Sequence, residues 1–418
     1  MVPRRLKLLF LSQFPPSPPA FGAQRRIQGL MATLARRHDV AAISLISPDL
    51  DAGAAEAAML KYCSEVHLVP APAWQGVKKR LAQLRSLASP RSFERRFYDL
   101  PQLRAALHQC LTRRGYDIVN VELPFLALQR LRQAPPGQPT PRLVLDEHNI
   151  EFDLARQQAS KELGLARRLH NSSNWPKLRH EEVLAWRRFD AVAFCSPEDE
   201  RRAHELVPAL RSAVVPNSVD VDDFKPRPGD PPPDGRTVMF FGAINYFPNV
   251  DGLMYLLREI WPILEKSHPQ ARLKIVGQHP TPEVLAFRGP RVEVTGRVDD
   301  VRPHLAGAAV CIAPLRIGGG TRFKILEAMA MAKPVVATSL GAEGIEYEAG
   351  RHLLIGDDPP SFAAAVGRVL DDGALAARLS RAGRALVEER YSWAAAAERL
   401  ERLYAEVLES PGRAGANQ

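Results

Sequence analysis

Short, nearly unbroken apolar stretches alternate along this chain with longer segments whose apolar residues recur every three or four positions. In the first half the short stretches are Lys7–Ser12, Val40–Ile46, Val66–Val69, Ile118–Val121, Leu143–Asp146 and Ala191–Cys195. Between them, segments such as Ala23–Arg36 and Pro101–Arg114 have helical spacing. The second half repeats the rhythm with Val238–Phe241, Leu273–Val276, Val292–Val294, Ala309–Ala313, Val335–Thr338 and Leu353–Ile355, and a last helical segment is Trp393–Leu408. Strands that are apolar throughout are covered by helices on both faces, so the expected class is α/β with parallel sheets. Two such runs predict two doubly wound, Rossmann-like domains.

The expected boundary is Lys225–Arg236, where Pro226, Pro228, Pro231, Pro232 and Pro233 crowd a stretch without core-forming side chains. The sequence therefore divides into residues 1–225, a linker at 226–236, a second domain at 237–390, a final helix at 391–410 and a tail at 411–418 expected to be disordered. A length of 418 residues suits two domains.

Composition excludes several classes. Hydrophobic residues at 45% and charged ones at 25% are those of a globular chain. No apolar run approaches the ~18 residues of a membrane helix, and the apolar stretch after Arg4, Arg5 and Lys7 stops too soon for a signal peptide. Cys63, Cys110, Cys195 and Cys311 are far apart, which suits a reduced compartment and predicts a cytoplasmic protein.

The charge is uneven. Residues 1–225 hold 33 Lys and Arg against 24 Asp and Glu, while the remainder balances at 23 and 23, so the whole +9 sits in the first half. No nucleic-acid-binding motif accompanies it, which points away from nucleic acid and toward an anionic membrane surface or a phosphorylated lipid. The segment 74–114 concentrates the charge: Lys78, Lys79, Arg80, Arg85, Arg91, Arg95, Arg96, Arg104, Arg113 and Arg114 stand against Glu94 and Asp99. Val77, Leu81, Leu84 and Ala88 fall at helical spacing beside Trp74, the pattern of a basic amphipathic helix peripheral to the inner face of a membrane. The alternative is a helix whose apolar stripe packs on the sheet.

The strongest chemical signal runs from Pro314 to Ala330. A strand leads into Gly318, Gly319 and Gly320, and a helix is expected to open at Thr321, a competent N-cap. Glycines allow close backbone approach, and a helix start presents free N–H groups to an anion, so this is a phosphate or sugar site. Arg322 and Lys324 add positive charge, and Glu327, three residues beyond Lys324, can accept the two hydroxyls of a ribose. The plainer alternative is a tight turn with a surface ion pair. Walker and GxGxxG motifs are missing, which removes the main support for ATPase and dehydrogenase readings. Asp49-Leu-Asp51 and Asp220-Val-Asp222 are read as loop and linker acids, so no metal is expected.

The stretch IGGGTRFKILEAMAMAKPVVATSLGAEGI, Ile317 to Ile345, resembles the donor domain of the family-four, retaining glycosyltransferases with the two-domain GT-B fold. The resemblance continues through Leu6–Ser12 with the loop at Gly22 and Ala23, Asp146-Glu-His148-Asn149-Ile-Glu151, Val215-Pro-Asn-Ser-Val-Asp220 with Phe224, and Val294-Thr-Gly-Arg297-Val298. It implies domains facing across a cleft, donor on the second and acceptor on the first, with the last helix crossing back to the first domain. It also implies that Glu327 contacts the donor ribose, that Arg297 and Val298 lie beside the nucleobase, and that His148 faces the donor sugar. Two departures stand out. The first glutamate of the family's Glu–seven–Glu pattern is replaced by Gly319, and the basic pair after the first donor-domain strand is replaced by Gly242-Ala-Ile-Asn-Tyr-Phe-Pro248. Arg322 and Lys324 are then expected to supply the charge for the diphosphate.

The expected function is transfer of a hexose-like sugar from a UDP- or GDP-linked donor to a glycan or phosphorylated lipid acceptor, without a further cofactor or metal, in cell-surface polysaccharide or glycolipid synthesis. Glu151 is a weaker catalytic candidate. The alternatives are a nucleotide-sugar epimerase of the same fold and a catalytically silent sugar-binding protein.

Overall fold

The structure, a computed structural model, describes residues 4–410 apart from 20, 73–75, 162–164 and 318–320. It forms two compact units, one made of the residues up to Val215 together with those from Ala396 onward, the other of Pro216–Ala395. The first holds a parallel sheet of β1 (Lys7–Ser12), β2 (Asp39–Ile46), β3 (Glu65–Pro70), β4 (Ile118–Glu122), β5 (Arg142–Glu147), β6 (Ala191–Phe194) and β7 (Ser212–Val214), in the order β3-β2-β1-β4-β5-β6-β7. The second holds β8 (Thr237–Phe241), β9 (Arg272–Val276), β10 (Val292–Gly296), β11 (Val310–Ala313), β12 (Val335–Ala337) and β13 (Leu354–Ile355), ordered β10-β9-β8-β11-β12-β13 and also parallel.

Alternate residues of a strand serve opposite faces, and both faces are covered. Val238 and Phe240 of β8 join a core with Leu253, Ile260 and Phe362. Their neighbours Met239 and Phe241 join another with Leu326, Met329 and Val387. This is why the strands are apolar without alternation. In each sheet the strand order reverses beside the first strand, between β1 and β4 and between β8 and β11. Ligands of doubly wound sheets bind outside the carboxyl ends of the strands at such points.

One expectation is corrected, and two elements join those expected. The units divide at Val215/Pro216, ahead of the proline-rich stretch. Residues 220–236 are tied into the second unit by polar contacts that composition does not display: the Arg384 guanidinium donates to the carbonyls of Val221 and Phe224, and Arg302 pairs with Asp223. The edge strand β7 was not foreseen, because it is three residues long and only half-buried. The basic segment holds the two helices its spacing suggested, Gly76–Leu87 and Pro101–Arg113, and a short third, Phe93–Tyr98, between them; Pro101–Arg113 buries Leu103, Leu107, Cys110 and Leu111.

The last helix, Trp393–Glu409, belongs with the first unit from Ala396 on, as expected of a crossing helix. Its Leu400, Leu403, Tyr404 and Val407 are buried. Residues 411–418 lie outside the described residues.

Candidate active site

In the second unit, polar groups gather beyond the carboxyl ends of β8 and β11. β8 ends at Gly242, whose φ of +143° is a conformation L side chains rarely adopt. A Cβ there would sit 3.2 Å from Asn249 Nδ2 and 3.4 Å from Lys324 Nζ. Gly277, after β9, packs so closely that a Cβ would meet the Gly242 carbonyl oxygen at 1.8 Å. The two glycines therefore let the backbone close down around the lysine.

Lys324 lies in the first turn of the helix Phe323–Ala330. Its Nζ donates to Asn249 Oδ1 at 2.8 Å and stands 3.8 Å from the centroid of the Phe240 ring. Asn249 is oriented in turn, since its Nδ2 donates to the Ala243 carbonyl at 2.9 Å. Burial and the neighbouring Arg322 push the Lys324 amine down to about 7, with the Glu327 carboxylate opposing them. Among the described residues, the Lys324 amine has an amide oxygen and a ring face as its nearest partners.

The helix opens later than the sequence suggested. Its N-cap is Arg322, in extended conformation and without a side-chain cap, rather than Thr321. Thr321 is held elsewhere: its hydroxyl donates to the Gly344 carbonyl, and its own carbonyl accepts from Asn217 Nδ2 at 2.8 Å. Glu327 is buried in the same helix. Arg297 is exposed after β10, and Val298 packs on the second unit's core. Gly318, Gly319 and Gly320 lie outside the described residues.

In the first unit the ends of β4 and β5 carry a different arrangement. Arg26, on the helix Gly22–Leu34 that opens at Gly22 and Ala23, forms a bidentate pair with Asp146 at 2.6 and 3.0 Å, both side chains fully buried. Glu122 meets His148 Nε2 at 2.8 Å and accepts from Asn120 Nδ2 at 2.9 Å. Asn120 in turn accepts from the Tyr404 hydroxyl at 2.8 Å. Burial pushes the His148 imidazole down to about 4 against the pull of Asp146, while burial and Asp146 push Glu122 well above the carboxylate range. Glu122, Asp146 and His148 are close enough to share a cation, but Asp146 is committed to the Arg26 guanidinium, which already supplies the positive charge.

The loop carrying His148 is pinned from a second side. Glu182, on the helix Leu165–Arg188, accepts the amides of Glu151 and Phe152, both at 2.9 Å, where the helix Glu151–Lys161 opens. Glu182 therefore satisfies the helix start. Glu147 accepts from Trp186 Nε1 at 2.7 Å. Glu151 hydrogen-bonds the Asn149 side chain, and burial together with Glu94 pushes its carboxyl up to about 7.

Sequence reasoning selected His148, Lys324 and Glu327 but missed their partners. Asn249 had a local signal, a polar residue shortly after a strand-ending glycine. Arg26, Asn120, Glu122, Glu182 and Tyr404 had none, because each has a partner at least 26 residues away, as far as 284 for Tyr404 and Asn120.

Two family models match the chain: Glycosyltransferase Family 4 over residues 22–223 and Glycosyl transferases group 1 over residues 235–372. The structure is similar to sucrose-phosphate synthase from Thermosynechococcus elongatus, with a TM-score of 0.69 at 18% identity over 96% of this chain and 99% of that one. It is also similar to HepE from Anabaena in complex with UDP-glucose, with a TM-score of 0.65 at 16% identity over 96% and 100%. A protein of Klebsiella pneumoniae, described as an uncharacterized 44.6 kDa protein in the cps region, is 28% identical over 135 residues, which are 30% of this chain and 35% of the relative. The chain thus matches about a third of the length of that curated relative. Both halves are glycosyltransferase domains, and together they make a GT-B fold.

Proposed function

We propose that this chain is a retaining glycosyltransferase that moves a hexose-like sugar from a UDP- or GDP-linked donor to a glycan or phosphorylated lipid acceptor, in cell-surface polysaccharide or glycolipid synthesis. The observation that carries the reading is Lys324, a half-buried lysine at the carboxyl end of the second sheet, held by Asn249 and Phe240 on the helix that also bears Glu327. When the bond between the sugar and the diphosphate breaks, negative charge grows on the leaving group. Lys324 and Arg322 are the residues that meet it, and this supports transfer without a metal. Glu327 holds the ribose, Arg297 and Val298 border the base, Gly242 leaves room for the phosphates, and His148 orients the sugar. Complexes of HepE with UDP, with UDP and glucose, and with UDP-glucose support a uridine nucleotide as the first donor to try.

The test is incubation with UDP- and GDP-sugars, with and without lipid-phosphate and glycan acceptors. Sugar transferred with its anomeric configuration kept supports the reading. An epimerised nucleotide-sugar without acceptor, or no turnover at all, replaces it with the epimerase or the silent binding protein. Glu327→Ala should weaken nucleotide binding by about 2–4 kcal/mol, the loss of a charged acceptor to two hydroxyls.

Membrane docking belongs to the same proposal, narrowed to the helix Gly76–Leu87. Leu81, Leu84 and Leu87 are 49%, 62% and 44% exposed, while Ser86 on the other face is buried and its carbonyl accepts Lys177 Nζ. These leucines therefore do not pack on the sheet. Trp74 and the side chains of Val77, Lys78, Lys79 and Arg80 lie outside the described residues. Further along, Arg104 pairs with Asp99 and Arg114 with Asp39, so part of the segment's charge is already neutralised. No helix among the described residues is long and apolar enough to cross a membrane. A peripheral contact of exposed leucines and basic residues with anionic lipid fits this surface.

A further inference from the structure

We infer that Tyr404 and Asn120 are positioning residues for His148, acting through Glu122, so that the chain's last helix sets the orientation and tautomer of that imidazole. The inference rests on the proposal that His148 faces the donor sugar, but its first readout does not depend on it.

The geometry is a single buried line. The Tyr404 hydroxyl donates to Asn120 Oδ1 at 2.8 Å, Asn120 Nδ2 donates to Glu122 Oε1 at 2.9 Å, and Glu122 Oε2 meets His148 Nε2 at 2.8 Å. Tyr404, Asn120 and Glu122 are fully buried. The Tyr404 hydroxyl, by donating to Oδ1, holds Nδ2 toward Glu122, whereas a flipped amide would set its oxygen against Glu122 Oε1. An asparagine and a glutamate on β4 are also out of place as core residues. A parallel strand covered on both faces is otherwise apolar, and buried polar groups persist only where each is satisfied.

The backbone supports the same reading. Leu123, directly after Glu122, has φ 72° and ψ 147° although its side chain is buried, a conformation retained only where the surroundings over-determine it. Its amide donates to the Asp146 carbonyl at 3.1 Å, which fastens the end of β4 to β5 two residues ahead of His148.

The charged groups around the imidazole leave one choice open. Asp146 is neutralised by Arg26, so Glu122 and His148 hold one proton between them, on either Glu122 Oε2 or His148 Nε2. The Asn120 donor opposes burial and Asp146 at Glu122, pulling toward the carboxylate and so toward the proton on Nε2. Without the Tyr404 hydroxyl the amide is released, the shared proton shifts to Glu122 Oε2, and the imidazole takes up a second proton, from solvent, at Nδ1.

The experiment is nitrogen NMR of the full chain labelled at histidine, with His148 assigned by His148→Gln, together with steady-state kinetics. Tyr404→Phe should move both ring-nitrogen resonances of His148 toward the other tautomer. It should also lower kcat roughly tenfold, the worth of one hydrogen bond, at unchanged donor KM. Val407→Ala, which loosens the same helix one turn on without touching the line, should leave the resonances in place. Unmoved resonances in folded Tyr404→Phe, or equal shifts in Val407→Ala, would overturn the inference. Moved resonances with unchanged turnover would uphold the positioning and remove His148 from the reaction.

Discussion

The two units place polar groups at the same position in the same kind of sheet and treat them in opposite ways. In the first, Arg26, Asp146, Glu122, His148, Asn120 and Tyr404 form a network in which charges answer one another inside the protein. In the second, among the described residues, Lys324 meets an amide oxygen and a ring face, and its charge is disfavoured. The first arrangement holds a shape; the second is the one proposed to meet the donor diphosphate.

The contrast can be broken most sharply at the first site. Arg26→Met leaves Asp146 as a buried, unanswered carboxylate and should cost about 3–5 kcal/mol of stability by denaturant unfolding. A loss under 1 kcal/mol would mean that the network is not a structural unit.

At the second site the expected damage is kinetic. Lys324→Met should lower kcat by roughly 10²–10³ while the fold survives, because the lysine acts on charge that develops in the transition state. Thermal melting should even improve. The folded-state amine sits at about 7 against an ordinary 10.5, so between those values the unfolded chain binds the extra proton, and stability falls as pH drops through that window. Replacing the lysine removes this slope.

A finer test uses the same group as a reporter. A bound diphosphate restores the charge on Lys324, so nucleotide binding near pH 8 should take up close to one proton, measurable by calorimetry in buffers of different ionisation enthalpy. Lys324→Met should abolish the uptake. Asn249→Ala should lower the proton affinity only a little, since an amide dipole is a weak partner, but should loosen the lysine and reduce kcat several-fold.

The smallest effect on the fold belongs to the surface. Leu84→Gln should change stability by no more than about 0.5 kcal/mol, because the side chain is already exposed. It should nevertheless weaken co-sedimentation with anionic vesicles at low salt. Equal binding by both proteins, or none by either, leaves the leucines without that role.

Legibility in the sequence follows from range. The strands were readable because burial on both faces leaves a local, nearly continuous apolar signature. β7 escaped because Ser212–Val214 is short and half-buried. The Pro-rich stretch was readable as irregular but not as part of the second unit, since Arg302 and Arg384, which fasten the residues leading into it, are 79 and 163 positions away. At the sites, Lys324 and Glu327 announced themselves through a local motif. The groups that orient His148 did not, because nothing near Asn120 in the sequence points to Tyr404.

The helix Trp393–Glu409 has a consequence for how the molecule is made. Its later residues complete the core of a unit whose strands lie before residue 216, so that unit is discontinuous in the chain. Synthesis proceeds from the first residue, and domains ordinarily close in the order in which they emerge. Here the order is inverted. The 216–395 unit has all of its strands available while the earlier sheet still lacks Leu400, Leu403 and Tyr404, and the amino-terminal half must wait, partly open, for the final helix. Ribosome-bound chains stalled before residue 396 should therefore show a protease-resistant second unit and a cleavable first one.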